Sequence, residues 1–236
     1  MAKMKLKSFF PEKWYRKLVK PYQIHIAQSK GVCIYSQEGE ELIIEKLVGC
    51  KKNGFYIDIG AHHPYRFSNT CYFYKQGWSG INIEPNPELF KSFLKHRKRD
   101  YNLNIGISSQ PRLMPYYLFE EPAYNTFSTE RFDFLKKINQ KLIRTEHIST
   151  KTLDQALLGI PMPKVIDFMN IDTEGMELEI VQSINWTRIR PSLLVVESKV
   201  ESLQNVLNSE LTQYLKTQAY VPVARLFNTV IYKPEK

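Results

Sequence analysis

At 236 residues the chain has room for one α/β domain with additions, and its balance of 43% hydrophobic and 24% charged residues is that of an ordinary globule. No apolar run nears the roughly 20 residues that span a bilayer, Cys33, Cys50 and Cys71 lack metal-type spacing or disulfide pairing, and no signal-peptide pattern is present, so a reducing cytoplasm is expected. Of the net charge of +9, seven cations (Lys3, Lys5, Lys7, Lys13, Arg16, Lys17, Lys20) against Glu12 leave +6 in the first twenty residues, so the remainder argues against a surface built for nucleic acid.

Residues 1–35 read as a basic arm and 36–236 as the main domain. Pro11 can open a helix to Lys20, with Trp14 and Leu18 four apart, as are Tyr15 and Val19. Such a helix either rests on an anionic membrane face or a partner, or docks on its own domain with its lysines solvated. Next comes a predicted helix over Ser36–Leu47, then strand Phe55–Ile59, helix Ser68–Gln76, strand Gly80–Glu84 and helix Pro87–His96. A strand over Leu103–Ile107 precedes a less regular stretch, Gln110–Thr150. Helix Leu153–Leu158, strand Val165–Ile171, helix Glu177–Ser183, strand Leu193–Glu197 and helix Leu203–Thr217 follow. Two strands, Tyr220–Ala224 and Thr229–Tyr232, close the chain around a Phe227–Asn228 turn. Alternating strands and helices imply a mostly parallel sheet covered on both faces.

Ligands of such sheets collect beyond the carboxyl ends of the strands. The residues there are Asp58 with Gly60, Glu84, Ile107 with Ser108, Asp172 with Glu174, and Glu197. Gly60 permits a turn and close backbone approach. A dinucleotide fingerprint is absent because the loop continues His62-His63-Pro64, so the amides a pyrophosphate needs are missing. S-adenosylmethionine, which has no phosphate, suits this loop better than NAD. Glu84 can accept hydrogen bonds from both hydroxyls of a ribose. Ser68 and Asn69 suit a helix cap that also touches cofactor or acceptor. The cluster Lys95–Arg99 ends a helix and reads as a solvated face, or as a phosphate contact.

The segments Tyr56–Pro64, Ser68–Thr70, Gly77–Asn86, Thr152–Asp154 and Ile171–Glu177, taken in order, resemble the FkbM family of S-adenosylmethionine-dependent methyltransferases. The resemblance runs from about Ser36 to Glu197 and leaves the basic arm outside. It implies a Rossmann-like class I fold: a seven-stranded, mostly parallel sheet with a C-terminal antiparallel hairpin. It also implies O-methylation, commonly of sugars, so the expected acceptor is a carbohydrate, glycolipid or nucleotide-linked sugar. By that analogy Asp58, Gly60 and Ala61 line the methionine side of the cofactor, Glu84 holds the ribose, and Ile107 and Ser108 lie near the adenine. Asp172, Glu174 and Gly175 face the reaction centre.

A sugar hydroxyl is a weak nucleophile at neutral pH, so its proton must be removed. Either Asp172 or His63 acts as general base, which is the route favoured here, or Asp172, Glu174 and Glu197 hold Mg²⁺. His62, Glu197, Tyr124 and Asn125 are candidate acceptor contacts, the last two from a long connection of the kind that forms binding loops. RNA or protein methylation is a rival on the same fold, disfavoured because Ile171-Asp-Thr-Glu-Gly175 lacks the Pro-Pro-aromatic pattern of amino-methylating enzymes. A non-catalytic scaffold is the rival of a different class; oligomeric state is not indicated.

Overall fold

Strand β1 (Phe55–Ile59) is an apolar run broken only by Asp58, and all but its first residue are buried, as the centre of a sheet covered on both faces requires. The computed structural model describes residues 33–200 and 202–235; the predicted helix Pro11–Lys20 lies outside the described residues. Helix α1 (Glu40–Val48) precedes β1, and α2 (Cys71–Lys75), β2 (Ser79–Ile83), α3 (Pro87–His96) and β3 (Tyr101–Leu103) follow it. After β4 (Gly106–Ile107) come β5 (Leu113–Phe119), α4 (Thr129–Lys137), β6 (Leu142–Lys151) and α5 (Leu153–Ala156). The chain ends with β7 (Phe168–Ile171), α6 (Glu177–Ser183), β8 (Leu194–Glu197), α7 (Leu203–Asn208), α8 (Glu210–Thr217), β9 (Tyr220–Arg225) and β10 (Thr229–Pro234).

The main sheet runs β3-β2-β1-β7-β8-β10-β9. Strands β3, β2, β1, β7 and β8 pair in parallel, while β10 is antiparallel to both neighbours. Ile57, Ile59, Ile81, Ile83, Met169 and Ile171 pack with α6 and α8 residues such as Ile180, Val181 and Leu215 on one face. Tyr56, Phe168 and Val195 meet Ile44 of α1 and Phe73 of α2 on the other. The chain crosses from β1 toward β3 on one side and from β7 toward β8 on the other. That reversal leaves a crevice at the carboxyl ends of β1 and β7.

Four sequence expectations are corrected. The strand over Leu103–Ile107 is two strands in different sheets, because Asn104 donates from Nδ2 to the carbonyls of Glu84 (2.8 Å) and Pro85 (3.0 Å) and turns the chain out. The stretch Gln110–Thr150 is a long antiparallel hairpin, β5 on β6, carrying α4 between its strands. Its signal is weak because β6 is mostly exposed and polar, and because Pro115 sits in an outer strand that tolerates a missing donor. Helix Leu203–Thr217 breaks at Ser209, whose backbone is extended and whose Oγ accepts the Thr212 N–H at 3.2 Å, starting a second helix. The helix predicted from Ser36 begins at Glu40, since Ser36 Oγ accepts the N–H groups of Gly39 and Glu40 instead.

Among the described residues no helix is long and apolar enough to cross a membrane.

Candidate active site

Gly60 brings the ends of β1 and β7 together. Its φ is +81°, and a Cβ there would lie 1.8 Å from the Asp172 carbonyl oxygen. Beyond this contact opens a cleft lined by the ends of β1, β2 and β7, by β4, and by Tyr116, Asn125 and Phe127 of the hairpin region. The hairpin that the sequence hides is therefore one wall of the site.

Asp58 sits on the cleft floor, almost wholly buried. Its carboxylate accepts Thr70 Oγ1–H (2.8 Å) and Asn170 Nδ2–H (2.9 Å), and Asn69 Nδ2 donates to Asn170 Oδ1 at 2.8 Å. Burial raises its carboxyl above the ordinary range, while these donors and Arg97 pull the other way. The strands align Asp58 with Asn82 and Asn170, and Asn82 with Asn102, so a polar row crosses β3, β2, β1 and β7.

Glu84 directly follows β2 and is also buried. Its Oε2 accepts the His62 N–H and its Oε1 the Asn86 N–H, both at 2.8 Å. Left-handed backbone at Gly60 and His62 (φ +53°) folds the loop back so that this amide arrives. Burial pushes the Glu84 carboxyl up to about 8 despite the two amides. Each oxygen retains a second lone pair for a ligand hydroxyl.

At the tip of β7, Asp172 lines the cleft beside Thr173 and Glu174. Asp172, Glu177 and Glu197 each bring a carboxylate oxygen within 4.8 Å of the others. Burial first, then the charges of Glu197, Glu174 and Glu177, hold the Asp172 carboxyl well above its ordinary value, with Lys199 opposing. Glu197 is raised by the same causes. The ligand set of the alternative, metal-bound route is thus altered: Glu174 Oε2 accepts from Arg131 Nε (2.9 Å) and from Lys199, and Glu177 takes its place in the cluster. Lys199 Nζ also pairs with Glu197 Oε1 at 2.7 Å, so a cation of the chain itself stands among these acids.

Only one of the two histidines lines the cleft: His62, read as an acceptor contact, does, and His63, read as a candidate base, does not. His63 Nδ1 accepts the N–H groups of Tyr65 (3.1 Å) and Arg66 (3.0 Å), a turn-stabilising role away from the cleft lining. His62 lines the cleft with Nε2 buried and unpartnered, and burial, aided by Arg66 and His63, lowers its pKa to about 4. It is therefore neutral at pH 7.

Gly60, Ala61, Asn69 and Ile107 line the cleft as well; Ser68, Ser108, Tyr124 and Glu197 do not. Ser68 Oγ accepts the Cys71 N–H (3.2 Å) at the start of α2, whose capping position is Thr70, and is also held by Arg97 at 3.1 Å. Ser108 Oγ donates to the Gln110 carbonyl at 2.7 Å and meets Thr150 Oγ1, so it is spent in the wall. Asn125 reaches the cleft, but its Oδ1 accepts the Phe119 N–H at 2.8 Å. Arg97 is fully buried, the exception in a Lys95–Arg99 run whose Lys95, Lys98 and Arg99 are exposed, as a solvated face requires. Its guanidinium donates to Thr70 Oγ1 (2.7 Å), Tyr56 Oη (3.1 Å) and Ser68, and lies 3.7 Å from Asp100.

Residues 58–222 match the model of the methyltransferase FkbM domain, well over half of the chain. The chain belongs to the FkbM methyltransferase family. Its sheet order, with β10 reversed, is accordingly that of the Rossmann-like class I methyltransferase fold. The FkbM methyltransferase of Methylobacillus flagellatus KT has a crystal structure that aligns at 14% identity and TM-score 0.49, covering 93% of this chain and 60% of that one. This FkbM chain therefore spans less than two thirds of that relative's length. The N-terminal domain of human METTL16 in complex with SAH aligns at 13% identity and TM-score 0.44, over 86% and 73% of the two chains. A Burkholderia thailandensis 1,6-didemethyltoxoflavin-N1-methyltransferase bound to 1,6-didemethyltoxoflavin and S-adenosylhomocysteine aligns at 10% identity and TM-score 0.42, over 84% and 77%. No curated protein matches the sequence.

Sequence reasoning missed Phe67, Tyr116, Phe127, Met176 and Lys199. The aromatic residues had no strand-end signal, and Lys199 lies two residues past a strand whose last residue drew the attention.

Proposed function

We propose that the protein is an S-adenosylmethionine-dependent O-methyltransferase acting on a sugar hydroxyl of a glycan, glycolipid or nucleotide-linked sugar. The observation that carries this reading is one cleft joining the buried carboxyl of Glu84 to the acidic tip of β7 in a chain of the FkbM family.

The donor set suits a phosphate-free nucleoside. Glu84 has free lone pairs for two ribose hydroxyls, Ile83, Leu89 and Ile107 offer apolar walls for an adenine, and Asp58 lies under Gly60 and Ala61 to receive the amino-acid portion. When bound, the cofactor supplies an electrophilic methyl group on a sulfonium. Its transfer would require an acceptor oxygen held in line with it and relieved of the hydroxyl proton. Asp172, whose environment makes its carboxylate a better base than an ordinary one, takes that proton. His62 Nε2, neutral and unpartnered, hydrogen-bonds the acceptor and holds it in line. The carboxylates of Glu174 and Glu197 are held by Lys199 and Arg131, which favours the metal-free route. EDTA is expected to leave turnover unchanged; loss of rate with recovery on adding Mg²⁺ would replace this step.

The test is transfer of labelled methyl from S-adenosylmethionine across a panel of nucleotide sugars and glycans. An alkali-stable O-methyl sugar is the expected product. Labelling of RNA or protein in place of every sugar would overturn the reading.

A further inference from the structure

Phe67 combines strain, exposure and rigidity at one edge of the cleft. Its φ of +55° is left-handed, a region bulky L-residues enter only when their surroundings force them. His62 and Glu174, also left-handed, line the same cleft, so non-glycine strain gathers here. An aromatic serving only the core would gain burial in return for such strain. Phe67 instead remains 38% exposed while lining the cleft.

The ring is also held firmly. The Arg66 guanidinium lies 4.1 Å from its centroid. That guanidinium is gripped in turn by Glu121, with Nη1–Oε1 and Nη2–Oε2 both at 2.8 Å. The His62 ring lies within 20° of parallel to Phe67, with centroids 6.2 Å apart. Its buried Nε2 has no partner within the chain. A fixed, partly open aromatic ring beside an unpaired hydrogen-bonding nitrogen matches a ligand with an apolar face and hydroxyls at its edge. A pyranose has that chemistry: its C–H bonds present one face, and its hydroxyls project around the rim.

We propose that Phe67 is the platform on which the acceptor's sugar ring stacks, with His62 Nε2 hydrogen-bonding one of its hydroxyls. This rests on the O-methyltransferase reading above and names the acceptor subsite within it. The strained loop from His62 to Phe67 is then the specificity element of the cleft, and the Arg66–Glu121 pair keeps it in register.

Saturation-transfer NMR on the protein loaded with S-adenosylhomocysteine, using a panel of methyl glycosides as probes, tests the platform. Ring C–H protons of at least one glycoside should be saturated by the wild-type protein. That signal should vanish in Phe67→Ala and return in Phe67→Trp, while calorimetry finds S-adenosylhomocysteine affinity within about twofold of wild type in both. Retained affinity also shows that the variants are folded. Undiminished saturation in Phe67→Ala overturns the platform, and so does a tenfold loss of S-adenosylhomocysteine affinity in that variant, which would assign the ring to the cofactor. The labelled-methyl screen separates the two failures. Sugar methylation by wild type with an unchanged acceptor KM in Phe67→Ala removes the platform alone. Methyl transfer to no sugar removes the O-methylation reading and the platform with it.

Discussion

Glu84 carries a burial cost that the His62 and Asn86 amides offset only in part. Its carboxyl is driven up to about 8 by burial, yet an ionised carboxylate is the form that accepts two ribose hydroxyls best. Binding of S-adenosylmethionine at pH 7 should therefore release a proton from Glu84. Calorimetry in buffers of different ionisation enthalpy is expected to show close to one proton released at pH 7 and far less at pH 9. Glu84→Ala should lose at least about tenfold in cofactor affinity and also some stability, because the buried amides of His62 and Asn86 lose their acceptor, at about 1–3 kcal/mol for each group left unpaired. Asp172→Asn is different in kind: it keeps the size of the side chain and removes the proposed base. Cofactor affinity should change little, while kcat falls by roughly 10²–10⁴, the usual contribution of a positioned base. Equal losses of affinity and kcat would place Asp172 with the cofactor and leave the proton to another group.

Between the elements, Arg97 is the chief electrostatic tie. Lying just past α3, it reaches Ser68 and Thr70 ahead of α2, Tyr56 in β1 and Asp100 ahead of β3. Thr70 in turn donates to Asp58, so the ion pair indirectly sets the cleft floor. Breaking one partner of a buried pair leaves the other charge uncompensated. Arg97→Leu should cost about 3–5 kcal/mol in urea denaturation, and adding Asp100→Asn should recover part of that loss. An additive double variant would show that the pair is not coupled. The Lys95–Arg99 run reads as solvent-facing because sequence shows a basic helix end and cannot show that one of its cations turns inward.

For the molecule as a whole, the raised acids and lowered histidines give stability opposite dependences on pH. His62, at about 4 when folded and 6.5 when unfolded, makes stability rise with pH between those values. Glu84, with a folded value of about 8, binds its proton more tightly in the native state, so stability falls as pH rises from 4.5 toward 8. Asp172 and Glu197, both raised, have the same sign. Only the acids act above pH 6.5, so the cofactor-free protein should melt at lower temperature at pH 8 than at pH 6.5. S-adenosylhomocysteine should narrow that difference, because a hydroxyl-donating ligand stabilises ionised Glu84. Thermal melts across that window check both statements; a rising melting temperature would contradict the burial of these carboxyls.

Strand and helix alternation, the polar strand ends at Asp58, Glu84 and Asp172, and the ordered FkbM-like segments were legible in the chain because each is a local pattern of two to ten residues. Gly60 was legible too, although its tightest constraint is the Asp172 carbonyl across the sheet. Other features depended on residues far apart in sequence. Folding decided which histidine faces the cleft, since left-handed backbone at His62 aims neighbouring side chains where no periodicity predicts. It also paired a polar, exposed β6 with β5 to form a wall, set Glu177 in place of Glu174 among the acids, and buried Arg97. Periodicity reports which face of an element is apolar; it carries no record of which distant charge or amide will meet a side chain once the sheet has closed around it.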